Sequence, residues 1–566
     1  MNPQIILTFV IYWGIIFAQV DINYSYQMQY GKGKQITGTV SDDPDTSNYN
    51  YFENLLDVNA YYGDNIYLYT QLEYSNYPIY GKRRSRLDSL VNTFYLEYSN
   101  DRINIQLGDL YELFGRGMCC YTLQNQNIDY NNSIKGLNIK YFMRENIEIS
   151  ALIGKGNYYY RSKPSNRETD LQLNSSALLA VVDFSTDMWG NFQFLNSKQQ
   201  LLIDPMLTGI LANNKTEISA DLDERLAYNQ PLFVELLSAE EGEIVDTVNI
   251  SSQNFNWNFY LGPFDIYVDK AWVNYEKIFG DDVFGSRFYS SVYTDFLGAG
   301  ITYEHKNYYT PYLINTISNL PIVYRETNSV LASRNSISVN FGNEIGHQIE
   351  INKTIFENIN LMGNLSFAYR HKKEGMADLS VLDFLKMSET SGIYNYYPFR
   401  QMYLEVNGWA LSDRLFYKLG VDHFSDFKFL SSGKNTDAFT VPSHWVWKFS
   451  NGSSLLSYLE IQSKTDKQIN QSDFSVSYEK NYISQYVSLS YNHLGKWTLT
   501  GFFDREVVND KVSKWPGLDF SFYLNSESIV SLFYGSQKGG MVCANGVCAE
   551  QPGFSDGMKI TYRSLF

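Results

Sequence analysis

From Arg414 to His423 the residues Leu415, Tyr417, Leu419 and Val421 alternate with Arg414, Lys418 and Asp422, so apolar side chains occupy one face and charges the other. A period of two is that of a β-strand, because successive side chains point to opposite faces of a pleated backbone. The same alternation sets Met402, Leu404 and Val406 against Gln401, Glu405 and Asn407. It also sets Leu455, Leu459 and Ile461 against Glu460, Gln462 and Lys464, and Ile103, Ile105 and Leu107 against Asn104 and Gln106. Beyond the first residues no apolar stretch approaches the ~20 residues a transmembrane helix needs, so a membrane form of this chain must be a closed barrel.

The N-terminal run from Ile5 to Phe17, followed by the small Ala18, reads as a signal peptide over residues 1–18, with a mature chain of 19–566 starting at Gln19. A membrane anchor is the alternative, and the run is short for one. The 47 Tyr, 36 Phe and 9 Trp supply core and interface area that a disordered chain lacks. A net charge of −16 makes nucleic acid an unsuitable partner, because like charges repel.

Alternation alone also suits a soluble sandwich, so the connections decide. Short polar turns at Ser99 to Arg102, Arg144 to Asn146, Leu411 to Asp413, Ser450 to Ser453, Leu494 to Gly495 and Asn525 to Ser528 take turns with long stretches. The long stretches are Ser75 to Leu90, Tyr111 to Ser133, His371 to Pro398, Lys464 to Asn481 and Gln537 to Ser555. Short periplasmic turns and long extracellular loops are the asymmetry of an outer-membrane barrel, and the strand-length segments predict an all-β, antiparallel transmembrane β-barrel of roughly 22 to 24 strands. Met558, Ile560, Tyr562 and the terminal Phe566 share one face, which resembles the strand signal read by the outer-membrane assembly machinery; an ordinary edge strand is the bland alternative. Outer-membrane lipid and lipopolysaccharide are the other expected partners.

From about residue 200 to 253 tyrosines thin out and acids gather, which reads as an extramembrane insertion. Phe233, Val234, Leu236 and Leu237 before Glu241 and Gly242, then Ile244, Val245 and Val248, suggest a small hairpin, with a solvated acidic loop as the alternative. Residues 319–344 lack clean alternation and carry Arg325, Glu326, Arg334 and Glu344. Irregular backbone at membrane depth must be buried in protein or line a water-filled cavity, so this segment is expected to fold inward as a constriction or plug unless it is a surface loop. Asp378 to Ser388 has Val381, Leu382 and Leu385 at helical spacing and suggests a short helix.

Three stretches carry a family resemblance: GDLYELFGRGM (Gly108 to Met118), LPIVYRETNSVLASRNSISVNFGNEIGHQ (Leu320 to Gln348) and YGSQKGGMVCANGVC with the tail to Phe566. Together with the barrel pattern they resemble a group of uncharacterised outer-membrane barrels of Gram-negative bacteria of the Bacteroidota type, classed as a domain of unknown function. The resemblance implies fold and location and no activity.

In the first stretch Asp109, Glu112 and Arg116 fit a charged ring at a pore mouth, while Gly108, Gly115 and Gly117 also fit a segment that merely shapes a loop. Cys543 and Cys548 are a disulfide candidate in an oxidising compartment, against free thiols or a bound ligand. The adjacent Cys119 and Cys120 are expected to be two small apolar residues, because a vicinal bridge is strained. The six histidines are scattered, with no H-E-x-x-H, G-x-S-x-G or P-loop, so no enzyme, metal or cofactor is expected. A strand pattern that begins at Tyr24 to Tyr30 leaves no plug domain for energy-coupled import. The expected role is a porin-like pore or binding channel for small solutes. A surface barrel that engages glycans or a partner protein, with little transport, is the alternative.

Overall fold

The computed structural model describes residues 20–37, 45–75, 90–125, 130–160, 171–186, 189–203, 247–278, 281–310, 317–327, 329–335, 343–356, 358–369, 371, 399–428, 433–469, 475–544, 547–551 and 553–565. The segment 1–18, the hairpin expected near Phe233, the helix expected over 378–388 and the terminal Phe566 lie outside them.

Twenty-four strands form one antiparallel sheet that closes on itself, because Val20–Thr37 pairs with Gly553–Leu565 as well as with Asp45–Tyr62. Each strand pairs with its sequence neighbours, so the barrel is a simple up-and-down meander. Closure leaves no free edge, which a strand structure in lipid requires.

The two faces follow the alternation. On Ser454–Ile469, Leu459 and Ile461 point outward at 45% and 54% exposure while Glu460 and Gln462 are buried at 3% and 4%. Leu404 stands 66% exposed between the buried Tyr403 and Glu405. A polar inside and an apolar outside invert a soluble protein, and an exterior carrying Phe194, Trp272, Phe284, Leu404 and Ile461 needs lipid to cover it. Detergent-solubilised protein is therefore expected to run faster on gels unboiled than boiled, and recovery as a soluble monomer without detergent would overturn the barrel.

The two ends differ. At the end that holds Val20 and Leu565 every connection is two to five residues, as in 63–65, 145–146 and 411–414. Arg414, expected on the charged face of a strand with Lys418 and Asp422, belongs to the last of these turns. The opposite end carries the long connections, but not uniformly, since 279–280 and 509–510 are two-residue links there. Two expected loops are largely strand. Lys464 to Asn481 is mostly the continuation of Ser454–Ile469 and Val476–His493, and Gln537 to Ser555 contains the hairpin Gly540–Ala544 with Val547–Gln551. Extended strands and loops share polar composition once a strand leaves the membrane, so composition misplaced these boundaries. The acidic insertion is also shorter than 200–253, because Gly190–Ile203 and Thr247–Leu261 claim both flanks.

Half of the interior is apolar. Leu152, Leu179, Val181, Leu195, Leu201, Val248, Ile250, Val273 and Tyr275 face inward from the wall between Ile147 and Ile278 and form one core with Leu110, Phe114, Met118, Cys119, Cys120, Ile317, Leu320 and Val323. Such strands are apolar on both faces: Leu178 and Val182 point to the outside between Ala177, Leu179 and Val181 on the inside.

Candidate functional site: two inward segments across the lumen

Among the described residues, two connections of the long end that fold back into the barrel form the candidate site. The first follows Ile103–Leu110 and covers the described residues 111–125 and 130–133; the second covers 317–327 and 329–335. They bond to each other, Tyr121 N donating to Ile317 O at 2.6 Å and Asn319 N to Gly117 O at 3.1 Å.

The first segment is set by glycine and by wall polar groups. Gly108 has φ +114, and a Cβ there would stand 2.2 Å from the carbonyl oxygen of Phe94. Gly115 has φ +57, and its Cβ would stand 2.6 Å from Asn256 Nδ2 and 2.8 Å from Asp269 Oδ2. The backbone N–H of Arg116 donates to Asp269 Oδ2 at 3.0 Å, as does Tyr267 OH, and the Arg116 guanidinium lies 5.1 Å from the centre of the Tyr267 ring. Arg287, buried in the wall, donates to the carbonyl oxygen of Met118.

These contacts do not build the expected charged ring. Asp109 is buried at the end of its strand, accepting from Ser133 Oγ at 2.8 Å and from Phe94 N at 2.9 Å. Glu112 is buried against Lys140, 2.8 Å away, and Asn138. Arg116 serves the docking of its segment on Tyr267 and Asp269. The three residues share one segment but belong to separate anchoring contacts.

Cys119 and Cys120 are free thiols, 2% and 0% exposed, packed in the apolar core. Burial pushes the Cys119 thiol up to about 12 and raises Cys120 as well. Both are therefore expected to resist maleimide in the folded barrel and to react once it is unfolded, since the thiolate is the nucleophile.

The second segment crosses to the polar half of the wall. Among its described residues the regular element is the single helical turn Val330–Ser333, whose N-cap Ser329 accepts from Ala332 N at 3.2 Å. The wall carboxylate of Glu460 takes the remaining donors: Ser329 Oγ at 2.9 Å, Val330 N at 3.0 Å and Leu331 N at 2.8 Å. A helix start leaves N–H groups without partners, and here the barrel wall supplies them. Gln462 Nε2 then donates to Leu331 O at 3.2 Å, holding the other side of the turn.

Arg334 pairs with Asp504 at 2.6 Å, and Arg325 lies 3.5 Å over the Tyr403 ring with its Nη2 3.8 Å from Glu405. Glu405 is shared, since Lys418 reaches it at 2.9 Å and Tyr403 OH donates to it at 2.5 Å. Glu344 lies outside the segment: it begins the wall strand Asn343–Ile355 and pairs with the buried Lys306. Glu326 is exposed. Of the candidates, Arg325 and Arg334 thus meet wall carboxylates in the lumen, whereas Asp109, Arg116 and Glu344 hold other contacts.

Sequence reading set Glu460 on the polar face of its strand without a role, and it passed over Asp269, Arg287 and Asp504. Alternation reveals which face a residue occupies. It carries no information about which distant segment will meet that face. Cys543 and Cys548 are directly opposed in the hairpin register. Directly opposed antiparallel residues have Cα atoms about 4.5–5.5 Å apart, within disulfide reach. Unfolded, unreduced protein is accordingly expected to take up two maleimides, at Cys119 and Cys120, and reduced protein four; four without reduction would exclude the bridge.

A family model described as "Family of unknown function (DUF6029)" matches residues 5–222. That span includes the stretch Gly108 to Met118 and excludes the two later stretches. No curated protein matches the chain. Among solved structures it is similar to the P pilus usher (PapC) translocation pore, with 8% identity, TM-score 0.40 and coverage of 96% of this chain and 99% of that one. It is similar also to the copper transporter OprC, with 8% identity, TM-score 0.43 and coverage of 97% and 80%. The FrpB iron transporter from Neisseria meningitidis gives 8% identity, TM-score 0.43 and coverage of 97% and 83%. Similarity at this level assigns no function to the chain.

Proposed function

We propose that this chain is an outer-membrane conduit for small polar solutes, narrowed within its lumen by its own inward segments rather than by a separate plug domain. The observation that carries the reading is the seating of residues 329–335 on the wall by Glu460 and Asp504. A wide barrel leaves an aqueous lumen unless something fills it. Here the filling is asymmetric: an apolar core occupies the wall from Ile147 to Tyr309, while the opposite wall meets the second segment through hydrogen bonds and ion pairs, contacts that water can replace. The passage runs on that polar side, whose wall carries both signs of charge, Arg325 and the partly exposed Lys418 beside the buried Glu405 and Asp422. The role is passage, not catalysis. The strand Gly553–Leu565 with its terminal Phe566 is the element proposed for recognition by the assembly machinery, and lipid with lipopolysaccharide would cover the exterior.

The test is planar-bilayer conductance of the purified protein beside liposome swelling with sugars and amino acids of graded size. Stable ohmic steps with a size cutoff are expected. The dry packing of Phe114, Met118 and Leu320 favours a second reading, a surface binding barrel with little transport. A folded but silent barrel would select it.

A further inference from the structure

Between the helical turn Val330–Ser333 and the rim of the long end, the polar wall changes sign. Lys434 stands next to the end of its strand and Lys538 just beyond the end of its own, while Lys464 and Lys480 lie a few residues inside the paired ends Ile469 and Val476; where the register defines it, they share the parity of the inward-facing Gln462 and Ser484. Among the described residues two carboxylates answer four ammonium groups: Asp466 lies 3.4 Å from Lys434, and Glu506 lies 2.5 Å from Lys538. The other two lysines share one ring, Lys464 at 4.4 Å and Lys480 at 5.1 Å from the centre of Tyr482. Ring faces attract cations, but two like charges gathered on one ring also repel each other. The cluster is thus a local excess of positive charge in a chain of net charge −16, and it is reached from the mouth, since the Lys434 side chain is 43% exposed.

We propose that this vestibule binds a small organic polyanion, a solute with two or more carboxylates that bridges Lys464 and Lys480 and is drawn in by Lys434 and Lys538. Bridging removes the repulsion across Tyr482 and completes charge pairing that Asp466 and Glu506 leave half done. The helical turn held by Glu460 forms the floor, so a bound anion would sit directly above the narrowing. The site names the class of solute for the conduit proposed above, and it rests on that reading only for the solute's onward passage.

The test is titration calorimetry of citrate into the purified barrel in detergent, with sorbitol as the uncharged control. Saturable citrate binding that weakens in high salt, with none for sorbitol, is expected. The double variant Lys464→Gln with Lys480→Gln should lose about tenfold or more in affinity while keeping heat-modifiable migration, the scale set by losing close charge contacts. Should that variant fail to fold, Lys480→Gln alone, nearer the rim, should still lose severalfold. No saturable binding in low salt, or equal affinity in a folded variant, would overturn the site. The arms separate from those of the conduit: a barrel that binds citrate but passes no current overturns the conduit and keeps the site, and a conducting barrel blind to citrate does the reverse.

Discussion

Replacing Glu460 with Gln is expected to raise single-channel conductance severalfold, the largest functional change available from one atom pair. The carboxylate accepts from Ser329 Oγ, Val330 N and Leu331 N and so holds the start of the turn 329–335 by three hydrogen bonds. Hydrogen bonds to a charged group contribute about 1.5–3 kcal/mol each, and removing a partner leaves buried donors unmatched. A neutral amide accepts through one oxygen and presents its NH2 group to donors. A net loss of about 3 kcal/mol shifts the seated-to-unseated ratio by roughly a hundredfold. The conductance of Asp504→Asn, which removes the Arg334 pair alone, should rise less, because that contact is one ion pair and not a set of three hydrogen bonds. Bilayer recordings check both. Unchanged conductance in Glu460→Gln, with heat-modifiable migration intact, would mean that the segment does not limit the passage.

Gly115→Val is expected to undock the first inward segment, read as maleimide labelling of Cys119 and Cys120 in the still-folded barrel. Two penalties coincide. A non-glycine residue in the left-handed region costs about 1–2 kcal/mol and a β-branched one more, and the added Cβ would press on Asn256 and Asp269, the carboxylate that receives Arg116 N. Together they amount to about 3 kcal/mol or more, so the labelling rate should rise on the order of a hundredfold. Gly115→Ala should give the same direction with a smaller effect. Gly108→Val, by contrast, would strike a backbone oxygen of the barrel strand itself, and it should lower the yield of heat-modifiable protein instead of freeing the thiols selectively. Labelling that stays as slow as in the unsubstituted protein would mean that the loop tolerates a side chain and that Asp269 does not fix it.

The sequence by itself determined the barrel. Alternation in Leu415, Tyr417, Leu419 and Val421 is a property of neighbours along the chain, and lipid outside with polar groups inside enforces it on the strands of the polar half of the wall. The short turns were legible for the same reason, since Leu411 to Asp413 and Leu494 to Gly495 close tight hairpins within a few residues. The irregularity of residues 319–344 was visible too, because a segment that breaks the period cannot be wall. Only the tertiary structure decided where that segment goes and what receives it. The pairing of Ser329 with Glu460 joins residues 131 apart in sequence, and Arg116 reaches Asp269 across 153. The run Ala177, Leu178, Leu179, Ala180, Val181 and Val182 is apolar on both faces, and only the packed structure shows that Met118 and Leu320 belong to the core its inner face joins. Patterning sets the face of each residue locally. Partners across a lumen are set by loop closure and packing, which no local period encodes.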